Sequence, residues 1–155
     1  MPPIPTEFVP VDPGYADRVR ASFGRQAVMS TLGIHLDTVE PGCVILRMRH
    51  RDDLTQQHGF LHAGVVSTAL DSACGYAAFS LMPADAAVLT IEFKVNLLAP
   101  ARGPDFRFEA RVTKAGRTIS VVDGQALERA PSGERVVATM TATIMAVRGR
   151  EGVRH

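Results

Sequence analysis

Residues 56–82, QQHGFLHAGVVSTALDSACGYAAFSLM, decide how the rest of the chain is read. The stretch opens as a loop and runs into a helix. Between positions 63 and 78, eleven of sixteen residues are Ala, Gly, Ser, Thr or Cys. Small side chains let a helix axis sit close to a sheet or to another helix. Apart from Leu70, the large side chains (Tyr76, Phe79, Leu81 and Met82) arrive only in the C-terminal half. The pattern predicts a helix wrapped by a curved sheet. Asp71 does not fit a plain buried helix. Asp has poor helix propensity away from a cap, and a buried carboxylate is costly unless it is paired or hydrogen-bonded. A satisfied structural acid is the bland alternative; a functional acid is the reading adopted.

On the N-terminal side, residues 1–12 hold four of the ten prolines and read as an extended arm. Tyr15, Val19, Phe23, Val28 and Leu32 recur every four to five residues, which predicts helix over 13–32, broken in two at Gly24. The period then changes. Residues 34–39 roughly alternate, Pro41-Gly42 marks a turn, and residues 43–49 start apolar and then alternate, so the two runs predict a hairpin. After the quoted helix, strand-like runs cover 87–98, 106–113, 118–127 and 136–147, with turns at Lys114-Ala115-Gly116-Arg117 and Pro131-Ser132-Gly133. The expected domain spans 13–148, with a polar tail over 149–155 that carries Arg150 and Arg154.

The order is helix, two strands, one long helix, four strands. One antiparallel sheet with a helix against it is the simplest packing. An open sheet of six strands leaves edges to cover, and edge-to-edge pairing in a dimer covers at least one. A homo-oligomer is expected on these grounds alone.

Composition narrows the function. Seventeen basic and sixteen acidic side chains give a formal net charge of +1, without the basic excess of a general nucleic-acid binder. The first residues lack the basic and apolar regions of a signal peptide, and no apolar stretch is long enough to span a bilayer. Cys43 and Cys74 make neither a disulfide framework nor a zinc site and read as buried thiols in a reducing cytoplasm. The five histidines are scattered without metal-ligand spacing.

The loop before the helix supplies chemistry. Gly59 and Gly64 flank His62, so the backbone is expected to turn sharply there. A helix that starts near Ala63 leaves its first N–H groups without intrahelical partners. Such an end stabilises a carbonyl oxygen that gains negative charge, and Gln56 adds an amide donor nearby. Asp71 lies eight residues on, roughly 12 Å along the axis. Within one chain the two parts are too far apart to act on one carbonyl. Two antiparallel copies bring Asp71 of one opposite Ala63 of the other, which predicts two shared sites per dimer.

At these residues a resemblance becomes specific. His62-Ala63-Gly64, followed by Asp71 in a small-residue helix between two β segments, resembles the hotdog-fold acyl-CoA thioesterases. The branch it looks like is the phenylacetate-degradation (PaaI-type) one, whose pattern is His-Gly-Gly followed by a helical acid. The runs HGFLHAG (58–64), LDSACGYAA (70–78) and EFKVNLLAP (92–100) carry the match, and the likeness covers about residues 38–147.

The resemblance implies an α+β hotdog fold, with five to six antiparallel strands wrapped around one central helix. It also implies hydrolysis of an acyl- or aryl-acyl-CoA without a cofactor beyond the coenzyme A of the substrate. Asp71 would be the nucleophile or the general base for water, and Ala63 the backbone donor to the thioester carbonyl. His62 would support the loop, Gln56 would stand near the thioester, and Thr90 would help to place water. Ala63 stands where the commonest motif has its first glycine, so a positive φ there would be strained. Gln56 stands where some members have Asn. Arg102, Lys114 and Arg117, in turns after strands, are the candidate cations for the phosphates of coenzyme A. The assembly expected is a homodimer, or a tetramer of two dimers. The rivals are a hotdog hydratase or dehydratase and a non-catalytic acyl-CoA-binding module.

Overall fold

A computed structural model describes residues 7–153. Of the expected arm and tail, residues 1–6 and 154–155, Arg154 included, lie outside the described residues. The elements follow the expected order. Two short helices, α1 (Tyr15–Arg25) and α2 (Ala27–Leu32), precede the hairpin β1 (Ile34–Glu40) and β2 (Cys43–Arg49). A 3₁₀ turn, Asp52–Leu54, leads to α3 (Ala63–Phe79). Then come β3 (Ala87–Leu97), β4 (Asp105–Lys114), β5 (Ile119–Ala130) and β6 (Gly133–Val147).

The six strands form one sheet in the order β1-β2-β4-β5-β6-β3, and every neighbouring pair is antiparallel. The chain leaves β2, crosses the sheet as α3, and enters β3 at the far edge, beside β6. β1 and β3 are therefore the two edges.

The break between the first two helices falls at Gln26, not at Gly24 as the sequence predicts. Gly24 stays helical, because one glycine costs an exposed helix only about 1 kcal/mol. Gln26 instead takes an extended conformation (φ −80°, ψ 93°), ends α1 through its N–H on Phe23 O (3.0 Å) and accepts from Met29 N–H at the start of α2 (3.0 Å).

The core forms between α3 and the concave face of the sheet. Eleven α3 residues are buried, among them Leu70, Ala73, Cys74 and Phe79. Facing them are Val44 and Leu46 of β2, Phe106 and Phe108 of β4, Val122 of β5, and Met140 and Ile144 of β6. A helix that is apolar nearly all round has to be buried on most sides, and the curved sheet provides this. One close approach is at Gly124 in β5. A Cβ there would lie 3.0 Å from Cys74 Sγ and 3.3 Å from Leu70 Cδ2.

The C-terminal end of α3 is held by Arg18 of α1. Its Nη2 donates to Phe79 O (3.3 Å) and Met82 O (2.7 Å), its guanidinium lies 4.2 Å from the centre of the Phe79 ring, and its Nε pairs with Asp12. A cation on carbonyls at a helix C-terminus is favourable.

Gly124→Val should lower stability in urea denaturation by about 1–3 kcal/mol, because a three-carbon side chain must enter a space where its Cβ alone would lie 3.0 Å from Cys74 Sγ. An unchanged midpoint would show that the helix and sheet are not this tightly apposed.

Candidate active site

His62 is the N-cap of α3. Its backbone is extended (φ −61°, ψ 138°), and its ring Nδ1 accepts from Gly64 N–H at 2.9 Å. This replaces the short hydroxyl or carboxylate that usually fills the cap. His62 O accepts from Val65 N–H (2.9 Å). Of the first three N–H groups of the helix, Gly64 and Val65 are thus occupied. Among the described residues no acceptor engages the Ala63 N–H, so one helix-end donor is left over.

Gly64 does not turn the chain, as the sequence reading expected. It is helical, and a Cβ there would sit 3.1 Å from the His62 Nδ1, so the missing side chain leaves room for the capping ring. The turn is made at Gly59, with φ +80°. Ala63 bears no positive φ, since no non-glycine residue among those described does, so alanine at this motif position is unstrained.

Gln56 is anchored by its side-chain carbonyl. Oε1 accepts from His58 N–H (2.5 Å) and Phe60 N–H (3.3 Å). Two N–H donors fix which end of the amide is oxygen, and its NH₂ group remains a donor. Gln56 and Ala63 both line a cleft of about 330 Å³. Its other walls are apolar: Phe60, Leu61, Val66 and the segment from Leu97 through Ala101.

Asp71 stands on a second cleft, of about 250 Å³, with Gln26, Ser72, Gly75, Tyr76, Val88, Leu89 and Thr90. It is half-buried. Its Oδ1 accepts from Thr90 Oγ1 at 2.7 Å. The acid is therefore neither unpaired nor sealed in apolar surroundings; one oxygen is held by the β3 hydroxyl.

Other candidate nucleophiles are quenched. Burial pushes the Cys74 thiol well up, and the negative charges of Asp71 and Asp123 add to this. Burial raises Cys43 as well. Neither is a thiolate near neutral pH. Burial also raises the Tyr76 phenol, against the opposing hydrogen bond from Ser22. Tyr76 packs on Phe23 and Phe79 as a core residue and touches the second cleft with one edge. His58 is exposed, its ring 6.4 Å from that of Phe60.

The three candidate cations separate into two places. Arg102 lies with its guanidinium 4.7 Å from the centre of the Phe60 ring, beside the first cleft. Lys114 and Arg117 are exposed at the β4–β5 turn. Ile119, just past that turn, and Leu89 of β3 both pair with Met145 of β6. The turn thus lies at the end of the sheet near Thr90 and Asp71.

Two features escape the sequence. Glu128 is almost fully buried and holds the wall of the first cleft: it accepts from Arg102 N–H (2.8 Å) and Gly103 N–H (3.3 Å) and pairs with Arg135. Gln26 reaches the Asp71 cleft from the α1–α2 junction. Neither sits in a motif, and both depend on long-range contacts.

The family model for the thioesterase superfamily matches residues 58–134. The crystal structure of a thioesterase family protein from Silicibacter pomeroyi is 61 % identical. It superposes with a TM-score of 0.86, covering 88 % of this chain and 100 % of that one. A phenylacetic acid degradation-related protein from Ralstonia eutropha is 25 % identical with a TM-score of 0.73, over 84 % of this chain and 98 % of that one. The E. coli PaaI protein shares the fold at 19 % identity and a TM-score of 0.79, over 87 % and 94 %. A curated relative from Saccharolobus solfataricus, named provisionally as an esterase, is 34 % identical over 64 % of this chain and 65 % of its own length. The chain spans just under two thirds of the length of such relatives.

His62→Ala should lower stability by about 1 kcal/mol through loss of the cap, and His62→Asn should recover most of it, since Asn is a strong N-cap. Urea denaturation of the three proteins measures both. Equal loss in the two variants would show that the ring does something other than cap the helix.

Proposed function

The chain belongs to the thioesterase superfamily, in its PaaI-type hotdog branch, and from that membership and the two clefts we propose that it hydrolyses acyl-CoA thioesters. The products are the free acid and coenzyme A. The observation that carries the reading is the division of the chemistry along α3. An unoccupied N–H opens on an apolar cleft at one end of the helix, and a carboxylate held by a hydroxyl faces a second cleft two turns along.

A single chain keeps these parts separate, so the reading includes a dimer paired along β3. β3 is an edge strand that leaves Ile91, Phe93 and Leu97 substantially exposed. Phe93 and Leu97 pair with Ala142 and Ala138, both fully buried, so they lie on the concave, helix-bearing face. Exposed apolar side chains on a core face, beside unpaired backbone groups, favour a second copy. Thr90, near one end of β3, holds Asp71, and Leu97, at the other end, borders the Ala63 cleft. Antiparallel pairing of β3 with its copy brings the Thr90 end of one protomer toward the Leu97 end of the other. It also brings Lys114 and Arg117 of one protomer to the same site as Arg102 of the other, where they serve the phosphates of coenzyme A.

In this site the thioester oxygen accepts from the Ala63 N–H and the Gln56 amide. Asp71 of the other protomer takes a proton from water as the water oxygen bonds to the carbonyl carbon, and the carbonyl electron pair moves onto oxygen. Collapse breaks the C–S bond, and the thiolate leaves with the proton from Asp71. Donors aimed at the developing oxyanion and a placed base are each worth orders of magnitude in rate. The substrate supplies the coenzyme A, and no further cofactor enters. Free buried thiols fit a reducing cytoplasm.

Thiol release over a panel of acyl- and aryl-acyl-CoA substrates tests the reading. Asp71→Asn should lower kcat by about 10²-fold or more with KM little changed, the signature of a group acting in the transition state. Ala63→Pro should remove the oxyanion donor and lower kcat by about 10²-fold while leaving the fold intact, because proline is accommodated at the first helical position. No thiol release from any thioester by the unaltered protein would sink the enzyme reading; binding of the same panel without turnover would favour the acyl-CoA-binding module.

A further inference from the structure

Gln26 lies outside the segment matched by the family model, yet it shares a cleft with Asp71 and Thr90. Its position is not incidental. The break between α1 and α2 occurs at this residue, and its backbone is fixed on both sides by Phe23 O and Met29 N–H. Its side chain is fixed too: Oε1 accepts from Ser72 Oγ at 3.2 Å, and Ser72 is buried and adjacent to Asp71 in α3. With the amide oxygen engaged, the NH₂ group is left as a donor, and among the described residues no acceptor takes it.

The cleft thus presents one carboxylate, whose second oxygen is open, and one amide donor, in a space of about 250 Å³ that has room for several waters. A hydrolytic water must give one proton to the base and aim one lone pair at the carbonyl carbon. Its second lone pair is free to accept, and an N–H donor placed there fixes the rotation of the molecule. Thr90 cannot serve, because its hydroxyl proton is spent on Asp71 Oδ1. We propose that Gln26 is a positioning residue that holds the attacking water against Asp71, so that the N-terminal helices contribute to the reaction as well as to the fold. This rests on the thioesterase reading above.

The test compares Gln26→Glu and Gln26→Met with the full-length wild type in the thiol-release assay, with folding followed by circular dichroism. Gln26→Glu keeps an acceptor for Ser72 but loses the NH₂ donor; Gln26→Met keeps the length and loses both. The expected result is a fall in kcat of about tenfold or more in both variants, on every acyl-CoA that the wild type hydrolyses. KM should stay within about twofold and the thermal midpoint of Gln26→Glu should be unmoved. Full kcat in Gln26→Glu, a change confined to KM, or a loss of rate that only tracks the folded fraction would each overturn the proposal while leaving the thioesterase reading intact. That reading fails separately, and takes this proposal with it, if the wild type releases no thiol.

Discussion

A helix held inside a concave sheet has to be narrow where the sheet comes closest. In this protein one such contact is Gly124 against Cys74 and Leu70, where even a methyl group would be crowded. The long run of small residues in α3 answers the same constraint, and it lets β2, β4, β5 and β6 all pack on one rod. A rod fixed this way at its middle also fixes its ends. The N-terminus is delivered to an apolar cleft between the loop after β2 and the loop after β3, and Asp71 is delivered to the start of β3. The separation of the Ala63 N–H from the Asp71 carboxylate is therefore a property of helix geometry, not of loop placement.

The caps complete this arrangement from opposite sides. His62 occupies the Gly64 N–H and leaves Ala63 as the open donor, which an ordinary cap residue would also do; the ring differs in needing a glycine at position 64 to lie against. Arg18 does the reciprocal work at the other end, covering Phe79 O and Met82 O. Because Arg18 belongs to α1, the N-terminal helices are tied to the far end of α3, and that tie sets where Gln26 meets the Asp71 cleft. Fold and site are coupled through these few polar contacts.

Much of this is legible in the sequence because it is local. The start of α3 at Ala63, the hairpin at Pro41-Gly42 and the alternating strands follow from periodicity and turn residues over short windows. The family resemblance singles out Asp71 within its motifs and Thr90 by spacing; the hydrogen bond between them is seen only in the structure. What periodicity does not show is long-range. Gly64 read as a turn glycine because a glycine beside a histidine looks the same whether it turns the chain or makes room for a ring. The helix break falls at Gln26 and not at Gly24, and the contact of Gln26 with Ser72 is one that no local window shows. Glu128 looks like any polar strand residue until β5 is placed beside the 99–103 loop. The three cations, adjacent in function by expectation, divide between the two ends of the sheet, which only the strand register reveals.

The central claim is that each site takes its oxyanion donor from one protomer and its carboxylate from the other. Mixing separately purified Ala63→Pro and Asp71→Asn proteins, after reversible dissociation and reassociation, tests it directly. A mixed dimer then holds one site with both defects and one with none, so the shared-site account predicts recovery of about a quarter of wild-type activity at random mixing. If both parts of a site came from the same chain, every site in the mixture would carry one defect. Activity would then stay at the level of the two variants, contradicting the account.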